Sequence, residues 1–295
     1  MKIKTEKISL PLLNLKEIEL FVKRIDLLDP LISGNKFYKL KYNMLEAIRQ
    51  KKKYILTFGG AYSNHIASTA FAANKFGFKS IGIIRGEMSH NLNYTLRFAK
   101  ENGMKIHYIS REQYRKKHTV SFLNELKDNY KSFYLIPEGG ANSLAIKGTE
   151  EILDKENHDY ICCPVGTGGT ISGIINSSQS HMKILGFPAM KGNNDLSTNI
   201  ESWTNEKNWC IINNYHFGGY AKITKELIDF TMDFNFNQKI PLDVIYTSKM
   251  MYGIIDLIKK DYFPRSSSIL AIHTGGIQGN IGMNDRYNLN LPHYL

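Results

Sequence analysis

The chain has 295 residues, which corresponds to about two domains at the usual size of roughly 150 residues each. Its 42% apolar, 12% aromatic and 22% charged residues are near the globular average and exclude largely disordered, collagen-like and coiled-coil chains. The net charge is +11, but the basic residues are scattered apart from 51–53 and 115–117, so we expect attraction for small anions and no nucleic-acid partner.

Short apolar runs alternate with amphipathic stretches, which predicts βα units and a mainly parallel sheet. The first series has predicted strands at 53–58, 80–84, 105–109 and 133–136, with helices at 64–76, 91–102 and 119–127. After Gly139 and Gly140, a second series has helices at 143–153 and 170–178 and strands at 160–163 and 183–187. The last third has helices at 223–234 and 249–261 and a strand at 268–273. Two such series predict two α/β lobes, and the polar, weakly periodic stretch 189–219 predicts a long loop or a functional lid.

The cysteines and the first residues of the chain give an indication of the cellular compartment in which the protein functions. Cys162 and Cys163 are adjacent and Cys210 is distant, so the three cysteines fit neither a disulfide framework nor a metal-binding spacing. The first residues lack the layout of a signal peptide, and no run reaches about 18 apolar residues. We therefore expect a cytoplasmic protein without a metal site or a membrane-spanning segment.

A glycine-rich loop, 165–170, follows a predicted strand and opens a predicted helix. Unpaired N–H groups and the positive end of the helix dipole favour an anion there, and glycines let a phosphate approach the backbone. Thr167 and Thr170 add hydroxyl donors. The ending of a P-loop and the full dinucleotide fingerprint are both absent from this segment. The pattern favours phosphate binding over an ordinary tight turn, which stays open as the alternative.

Two further segments place polar groups at predicted helix starts. In Ser33-Gly34-Asn35-Lys36, the helix dipole favours a neutral lysine, the form that attacks an aldehyde; a solvated lysine is the ordinary alternative. In the segment 59–65, Ser63 and Asn64 suit N-caps, and the same donors suit a small carboxylate.

Four motifs together resemble a known family. They are Ser-Gly-Asn-Lys-x-x-Lys-Leu at 33–40, Gly-Gly-x-x-Ser-Asn-His at 59–65, Gly-Thr-Gly-Gly-Thr at 166–170 and His-Thr-Gly-Gly at 273–276. In this order they resemble the pyridoxal-phosphate family of 1-aminocyclopropane-1-carboxylate deaminases and D-cysteine desulfhydrases, over about residues 10–276. The resemblance implies the tryptophan-synthase-β-like fold type II, an α/β fold of two lobes with mainly parallel sheets and helices on both faces. It also implies bound pyridoxal phosphate, a small amino-acid substrate and a homodimer, with a larger domain of 1–36 and 141–295 and a smaller inserted domain of 37–140.

The resemblance also implies a role for each matching residue. Lys36 matches the Schiff-base lysine, Ser63 the substrate-binding serine, and Tyr220 and Tyr246 the pair that faces the substrate. On spacing alone, each tyrosine would more often belong to the core. The other residues implied to contact the cofactor are Lys39, Asn64, His65, Gly166, Thr167, Gly168, Gly169, Thr170, Thr247 and Thr274.

The two branches of the family differ at a few positions. Thr247 and Thr274 stand where the deaminases carry an acid and a leucine, and His65 stands where they carry glutamine. A threonine opposite the ring nitrogen makes a weaker electron acceptor, which suits loss of a thiolate better than cyclopropane opening. The resemblance therefore implies D-cysteine before 1-aminocyclopropane-1-carboxylate, although Tyr38 and Tyr62 replace the usual arginine and glutamine near the site.

Three alternatives remain beside a D-cysteine desulfhydrase. The first is a 1-aminocyclopropane-1-carboxylate deaminase, with Tyr246 as base or nucleophile at the ring carbons. The second is a pyridoxal-phosphate-binding protein with little catalysis. The third, a dinucleotide-dependent oxidoreductase that uses the glycine loop, is disfavoured because no acid stands at a ribose-binding position.

Overall fold

The computed structural model describes residues 3–29, 31–32, 34–88, 91–130, 132–192 and 194–293. Its strands are β1 (Thr5–Lys7), β2 (Glu19–Lys23), β3 (Tyr54–Gly60), β4 (Lys79–Arg85), β5 (Met104–Ile109), β6 (Phe133–Ile136), β7 (Tyr160–Val165), β8 (Lys183–Pro188), β9 (Trp209–Ile211) and β10 (Ser268–Ile272). Its α-helices are α1 (Pro11–Lys16), α2 (Asn35–Arg49), α3 (Asn64–Lys75), α4 (Tyr94–Glu101), α5 (Arg111–Arg115), α6 (Val120–Tyr130), α7 (Ser143–Thr149), α8 (Gly169–Ser177), α9 (Leu196–Glu201), α10 (Lys225–Gln238), α11 (Thr247–Lys259) and α12 (Gln278–Tyr287).

The strands form two sheets. The larger has the order β1-β2-β10-β7-β8-β9 and the smaller the order β5-β4-β3-β6. Every neighbouring pair is parallel except β1 with β2. Because parallel neighbours need a crossover connection, helices alternate with strands along the chain. This arrangement confirms the predicted α/β class with mainly parallel sheets.

Both faces of the larger sheet are buried under helices. Successive residues of a strand point to opposite faces, so Cys162 packs with Ile254 of α11, whereas Ile161 and Cys163 pack with Ile174 of α8. The strands of the smaller sheet all lie between β2 and β7 in the chain, so this sheet is a continuous insertion between two strands of the larger one. The predicted domain limits at 36/37 and 140/141 stay a prediction.

The stretch 189–219 is not a long loop, because its described residues contain α9 and β9. Leu196 and Ile200 of α9 are buried one turn apart, and β9 pairs with β8 at the edge of the larger sheet. Both elements are short, so their apolar periodicity extends over too few residues to stand out. The strands β1 and β2 and the helices α1, α5 and α12 were also not predicted.

The carboxyl ends of the parallel strands position the site. Ligands of open α/β folds bind beyond these ends, where the connections to the next helices begin. Here the loops after β3, β7 and β10 lead towards α3, α8 and α12 and line one common cleft. Across the described ranges, no helix combines the length and apolar character needed to cross a membrane, and no cluster of His, Cys, Asp or Glu is suited to a metal ion.

Candidate active site

A cleft of about 600 Å³ collects nearly all of the predicted site residues. Those that line it are Lys36, Lys39, Ser63, Asn64, His65, Gly166, Thr167, Gly168, Thr170, Tyr220, Tyr246 and Thr274. Gly169 is buried at the start of α8, where a Cβ would lie 3.3 Å from the Lys39 Nζ. Thr247 does not line the cleft, and Ser33 lies outside the described residues.

Lys36 is the second residue of α2, and the start of this helix is packed tightly against the loop after β10. Gly34 has φ +58°, and a Cβ there would lie only 1.9 Å from the Thr274 carbonyl oxygen. The Asn35 N–H donates to the same oxygen at 3.1 Å. A glycine is therefore required at position 34, and this contact fixes where Lys36 enters the cleft.

The Lys36 amine loses its proton more readily than an ordinary lysine. Desolvation by the surrounding protein lowers its pKa to about 8, and the negative charge of Asp243 opposes part of this shift. The Lys36 Nζ donates to the Asn35 Oδ1 at 3.2 Å, and the Asn35 Nδ2 donates to the Thr170 Oγ1 at 2.8 Å. Asn35 thus connects the lysine to the glycine loop.

Lys39 and His65 lie in the buried wall behind Lys36. The Lys39 Nζ donates to the Gly139 carbonyl oxygen at 3.0 Å, and burial followed by repulsion from Lys36 lowers its pKa well below the ordinary range. Burial and then both lysines also lower the pKa of His65, so its imidazole is neutral. Its Nε2 lies 2.8 Å from the Thr57 Oγ1, whose hydrogen points to the Ile136 carbonyl oxygen, so Nε2–H is the donor.

The start of α3 supplies the groups that were predicted to hold a carboxylate. Ser63 is the N-cap, and its Oγ accepts from the Ile66 N–H at 3.4 Å, as the N-cap alternative predicts. The Asn64 Nδ2 donates to the Gly276 carbonyl oxygen at 3.5 Å, while its Oδ1 is buried and has no partner within the described residues. Asn64 therefore joins the start of α3 to the loop after β10, whereas Ser63 caps its own helix.

The loop 166–170 ends at the N-terminus of α8, whose N-cap is Gly168 with φ +90°. Within the described part of the chain, no side chain caps this N-terminus. The first N–H groups of a helix lack partners inside the helix, so they are available to an anion at this point.

Tyr220 and Tyr246 form the opposite wall of the cleft. Their rings meet edge to face with centroids 6.1 Å apart. Burial raises the pKa of Tyr246 well above its ordinary value, and the neighbouring Tyr220 and Asp243 raise it further. Desolvation also raises the pKa of Tyr220. Both phenols are therefore protonated near neutral pH, so their hydroxyl groups can donate hydrogen bonds.

Thr247 has a different position from that implied by the resemblance. It is fully buried, and its hydroxyl donates to the Asp243 Oδ2 at 2.9 Å and accepts from the Asp243 N–H at 2.8 Å. The Asp243 carboxylate also accepts the N–H groups of Ile245 and Tyr246, which fixes the turn that presents Tyr246. Only Thr274 of the threonine pair lines the cleft.

The two tyrosines that depart from the family pattern differ in their location. Tyr38 is buried in the core between the larger sheet and α8 and does not line the cleft, so it does not shape the substrate site directly. Tyr62 does line the cleft, and a Cβ at Gly282 of α12 would lie 2.7 Å from its ring. The glycine therefore makes room for the ring.

Sequence reasoning missed Arg85, Arg111 and Glu138, which line the cleft, and Lys249, which supports it. The first three stand at or just after the ends of three predicted strands, and this position was the available signal. The Lys249 Nζ is buried and donates to the carbonyl oxygens of His216 at 2.9 Å and Gly219 at 2.7 Å. It thereby holds the turn that precedes Tyr220, a role that no short motif indicates.

These groups fit the cofactor that the sequence resemblance implies, pyridoxal phosphate. The uncapped N-terminus of α8 is available for its phosphate, and the Lys36 amine for its aldehyde. The unpartnered Oδ1 of Asn64 offers an open hydrogen-bonding position in the wall between them. The site thus has groups for the phosphate and the aldehyde of the cofactor, and one further hydrogen-bond acceptor between them.

Comparisons with known proteins agree with this geometry. A bifunctional D-cysteine desulfhydrase/1-aminocyclopropane-1-carboxylate deaminase of Arabidopsis thaliana is 32% identical in an alignment that is 294 residues long, gaps included. This alignment covers 88% of this chain and 73% of that protein. A 1-aminocyclopropane-1-carboxylate deaminase of a Bradyrhizobium species is 25% identical over 301 residues, covering 88% of this chain and 87% of that protein. The crystal structure of an ACC deaminase homologue matches with a TM-score of 0.83 and 25% identity, covering 97% of this chain and 93% of that one. The family model described as pyridoxal-phosphate dependent enzyme matches residues 3–275, and the chain therefore belongs to this enzyme family, of fold type II.

Proposed function

We propose that this enzyme is a lyase that converts a small β-substituted amino acid into a 2-oxo acid and ammonia, with D-cysteine preferred over 1-aminocyclopropane-1-carboxylate. For D-cysteine, the reaction consumes one water and releases pyruvate, hydrogen sulfide and ammonia. For the cyclopropane acid, it consumes one water and releases 2-oxobutyrate and ammonia. The names of the Arabidopsis and Bradyrhizobium relatives support this substrate range.

Lys36 is the group that we assign to proton transfer at the α-carbon. Bound pyridoxal phosphate supplies a conjugated ring that accepts electrons from that carbon. Lys36 would hold the cofactor through its aldehyde, and the free Lys36 amine would move the proton at the substrate α-carbon. A pKa of about 8 leaves a useful fraction of this amine neutral near pH 7, as a base requires.

The substrate carboxylate is assigned to the start of α3. The Ser63 hydroxyl and the first N–H groups of this 12-residue helix favour an anion. The loop 166–170 is assigned to the cofactor phosphate by the same reasoning, with Lys39 behind it. These two helix starts fix both ends of the reacting complex and leave the substrate side chain between the tyrosines and the smaller sheet.

The tyrosine pair is the observation that carries the choice of reaction. A protonated Tyr246 donates a hydrogen bond that stabilises a departing thiolate, whereas use of Tyr246 as the nucleophile or base that opens the cyclopropane ring requires its ionised form, which the raised pKa disfavours. Among the described residues that line the cleft, the only carboxylate is that of Glu138, which follows β6, so a carboxylate partner for the ring nitrogen has no evident source. Both features support elimination.

A substrate panel tests the proposal. Purified enzyme with pyridoxal phosphate is assayed with the D and L forms of cysteine and serine derivatives and with the cyclopropane acid, and pyruvate, 2-oxobutyrate and sulfide are measured. We expect faster pyruvate release from D-cysteine than 2-oxobutyrate release from the cyclopropane acid; the reverse order would contradict the proposal. A yellow protein that turns over none of them would support a cofactor-binding protein with little catalysis.

We also propose a homodimer in the cytoplasm, built from a cofactor-binding domain of 1–36 and 141–295 and an inserted domain of 37–140. Light scattering after size exclusion measures the mass of the assembly. Limited proteolysis tests the domain limits, since cleavage is expected near the two connections rather than inside either sheet.

A further inference from the structure

The carboxyl edge of the smaller sheet presents a pair of arginines that the proposed mechanism does not use. In the register of this sheet, Gly60 of β3 pairs with Arg85 of β4, and Arg85 pairs with Ile109 of β5. Arg111 follows Ile109 by two residues, at the start of α5. Because parallel strands end at one edge, both arginines stand at the edge where the loop that leads to Ser63 also begins, and both line the same cleft as Ser63.

Neither arginine has an ionic partner of its own among the residues that the structure describes. Within the described ranges, no ion pair joins Arg85 or Arg111 to a carboxylate, although both side chains are exposed and line the cleft. The nearby acid, Glu138, is paired with Lys117 at 3.3 Å. The edge therefore carries two positive charges that a bound anion would neutralise.

Arg85 is held in place rather than free in solvent. Its guanidinium lies 5.6 Å from the centre of the Tyr114 ring, and Tyr114 is buried in the core of the smaller sheet. A cation over an aromatic face is restrained without losing its hydrogen-bond donors, which stay directed outward. The Arg85 Nη2 would lie 3.9 Å from a Cβ at Gly60, so this group is next to the predicted carboxylate site.

The arginine edge faces the reacting end of the cleft. Arg85 and Glu138 are both close enough to Tyr220 to influence its pKa electrostatically. A substrate held by Ser63 at its carboxylate and by the cofactor at its amino group thus has only its side chain left to reach this edge. D-cysteine has no fixed negative charge in its side chain and leaves both arginines unpaired.

We propose that Arg85 and Arg111 form a subsite for an anionic β substituent, such as a phosphate, on the amino-acid substrate. This inference rests on the proposed elimination. For O-phosphoserine, the α C–H and β C–O bonds break, the C–O electron pair leaves with the phosphate, and one water completes the release of pyruvate, ammonia and phosphate. Arginine suits this task because its planar donors match the oxygens of a phosphate or carboxylate.

Two serine esters of different charge test the subsite. Both enantiomers of O-phosphoserine and O-acetylserine are assayed for pyruvate release by the cofactor-loaded enzyme. We expect kcat/KM to be at least tenfold higher for one phosphoserine enantiomer than for the corresponding acetyl ester, and this ratio to fall as salt is added. An acetyl ester that is used as well as the phosphate ester would overturn the subsite.

Matched variants identify the residues. R85Q and R111Q should each lower kcat/KM for phosphoserine at least tenfold, mainly through KM, and change it less than twofold for acetylserine. R115Q, which removes the same charge at the other end of α5 and outside the cleft, should change neither substrate. Equal losses of kcat/KM for both esters in R85Q and R111Q would mean that the arginines support the fold and do not recognise the substrate side chain.

A binding measurement separates this inference from the proposed function. The visible absorbance of the bound cofactor is titrated with 2-amino-3-phosphonopropionate, which has no leaving group, and with 2-aminobutyrate, which has no anionic side chain. Tighter, arginine-dependent binding of the phosphonate without turnover of any substrate would support the subsite and contradict the lyase. Turnover of D-cysteine with equal binding of both analogues would support the lyase and overturn the subsite.

Discussion

Replacing Gly34 with alanine tests whether the contact between α2 and the loop after β10 positions Lys36. A Cβ at this position would lie 1.9 Å from the Thr274 oxygen, 2.3 Å from its carbonyl carbon and 2.6 Å from the Gly275 nitrogen. Non-bonded carbon atoms normally stay about 3.5–4.0 Å apart, so the helix start and the loop must separate by roughly 1.5 Å. That displacement would move Lys36 relative to the glycine loop that Asn35 joins to it.

The free-energy cost has two parts. The strained backbone at φ +58° costs about 1–3 kcal/mol for a residue with a Cβ. Overpacking against a fixed backbone typically costs a further 1–3 kcal/mol or so, which gives about 2–6 kcal/mol in total. At about 2–4 °C per kcal/mol for chains of this size class, a clear loss of thermal stability follows.

Gly103→Ala is the matched control. Gly103 also has a positive φ, +79°, but a Cβ there would meet no atom within 4 Å, so only the backbone strain applies. Both variants are melted without added cofactor, so that ligand binding does not contribute to the midpoint. We expect Gly34→Ala to melt well below Gly103→Ala and to attach pyridoxal phosphate slowly. Equal melting temperatures, with attachment at the wild-type rate, would refute the positioning role of this contact.

Four further outcomes follow from the site. Lys36→Ala should lose borohydride-fixed cofactor, and mass spectrometry that finds the label on another lysine would contradict the assignment. Tyr246→Phe should lower kcat for D-cysteine about 10²–10³-fold, the usual range for a lost hydrogen-bond donor to a developing anion, with intact cofactor absorbance. Gly168→Val should weaken cofactor binding, because its φ of +90° disfavours a side chain, and equilibrium dialysis measures this. Lys249→Met should lower the free energy of unfolding by about 1–3 kcal/mol. Burial also lowers the pKa of Lys249 from 10.5 to about 8, so between pH 8 and 10.5 this side chain carries a proton in the unfolded chain but not in the folded one. As the pH rises through this range, the free energy of unfolding should therefore increase more in the wild type than in the variant.

The parts of the fold that were predictable from sequence are those with a regular apolar period and a clear end. The strand predicted at 53–58 is β3 (Tyr54–Gly60), and the helix predicted at 64–76 is α3 (Asn64–Lys75), which begins directly after its N-cap Ser63. The glycine loop was placed correctly before α8 for the same reason, since it lies between a buried strand and an apolar helix.

Helix α12 shows why other elements were missed. Gly279 and Gly282 lower its intrinsic helix propensity, so the local sequence argues against a helix. Tertiary packing favours glycine at 282 because the Tyr62 ring occupies the space of a side chain. Thr247 gives the same lesson for the site: its buried hydroxyl is engaged with Asp243, a partner four residues away that only the folded turn brings into contact.

The charges of the cleft favour reactions in which a leaving group departs as an anion. Among the described residues that line it, the guanidinium groups of Arg85, Arg111 and Arg286 outnumber the single carboxylate, that of Glu138. In elimination, negative charge develops on the β substituent, where the protonated phenols can donate hydrogen bonds to it; the guanidinium groups add to this stabilisation when the substituent is already an anion. In cyclopropane opening no heteroatom leaves and the charge stays on carbon, so the same groups would contribute less. The distribution of charges in the cleft thus favours elimination over cyclopropane opening, and this argument does not depend on the family resemblance.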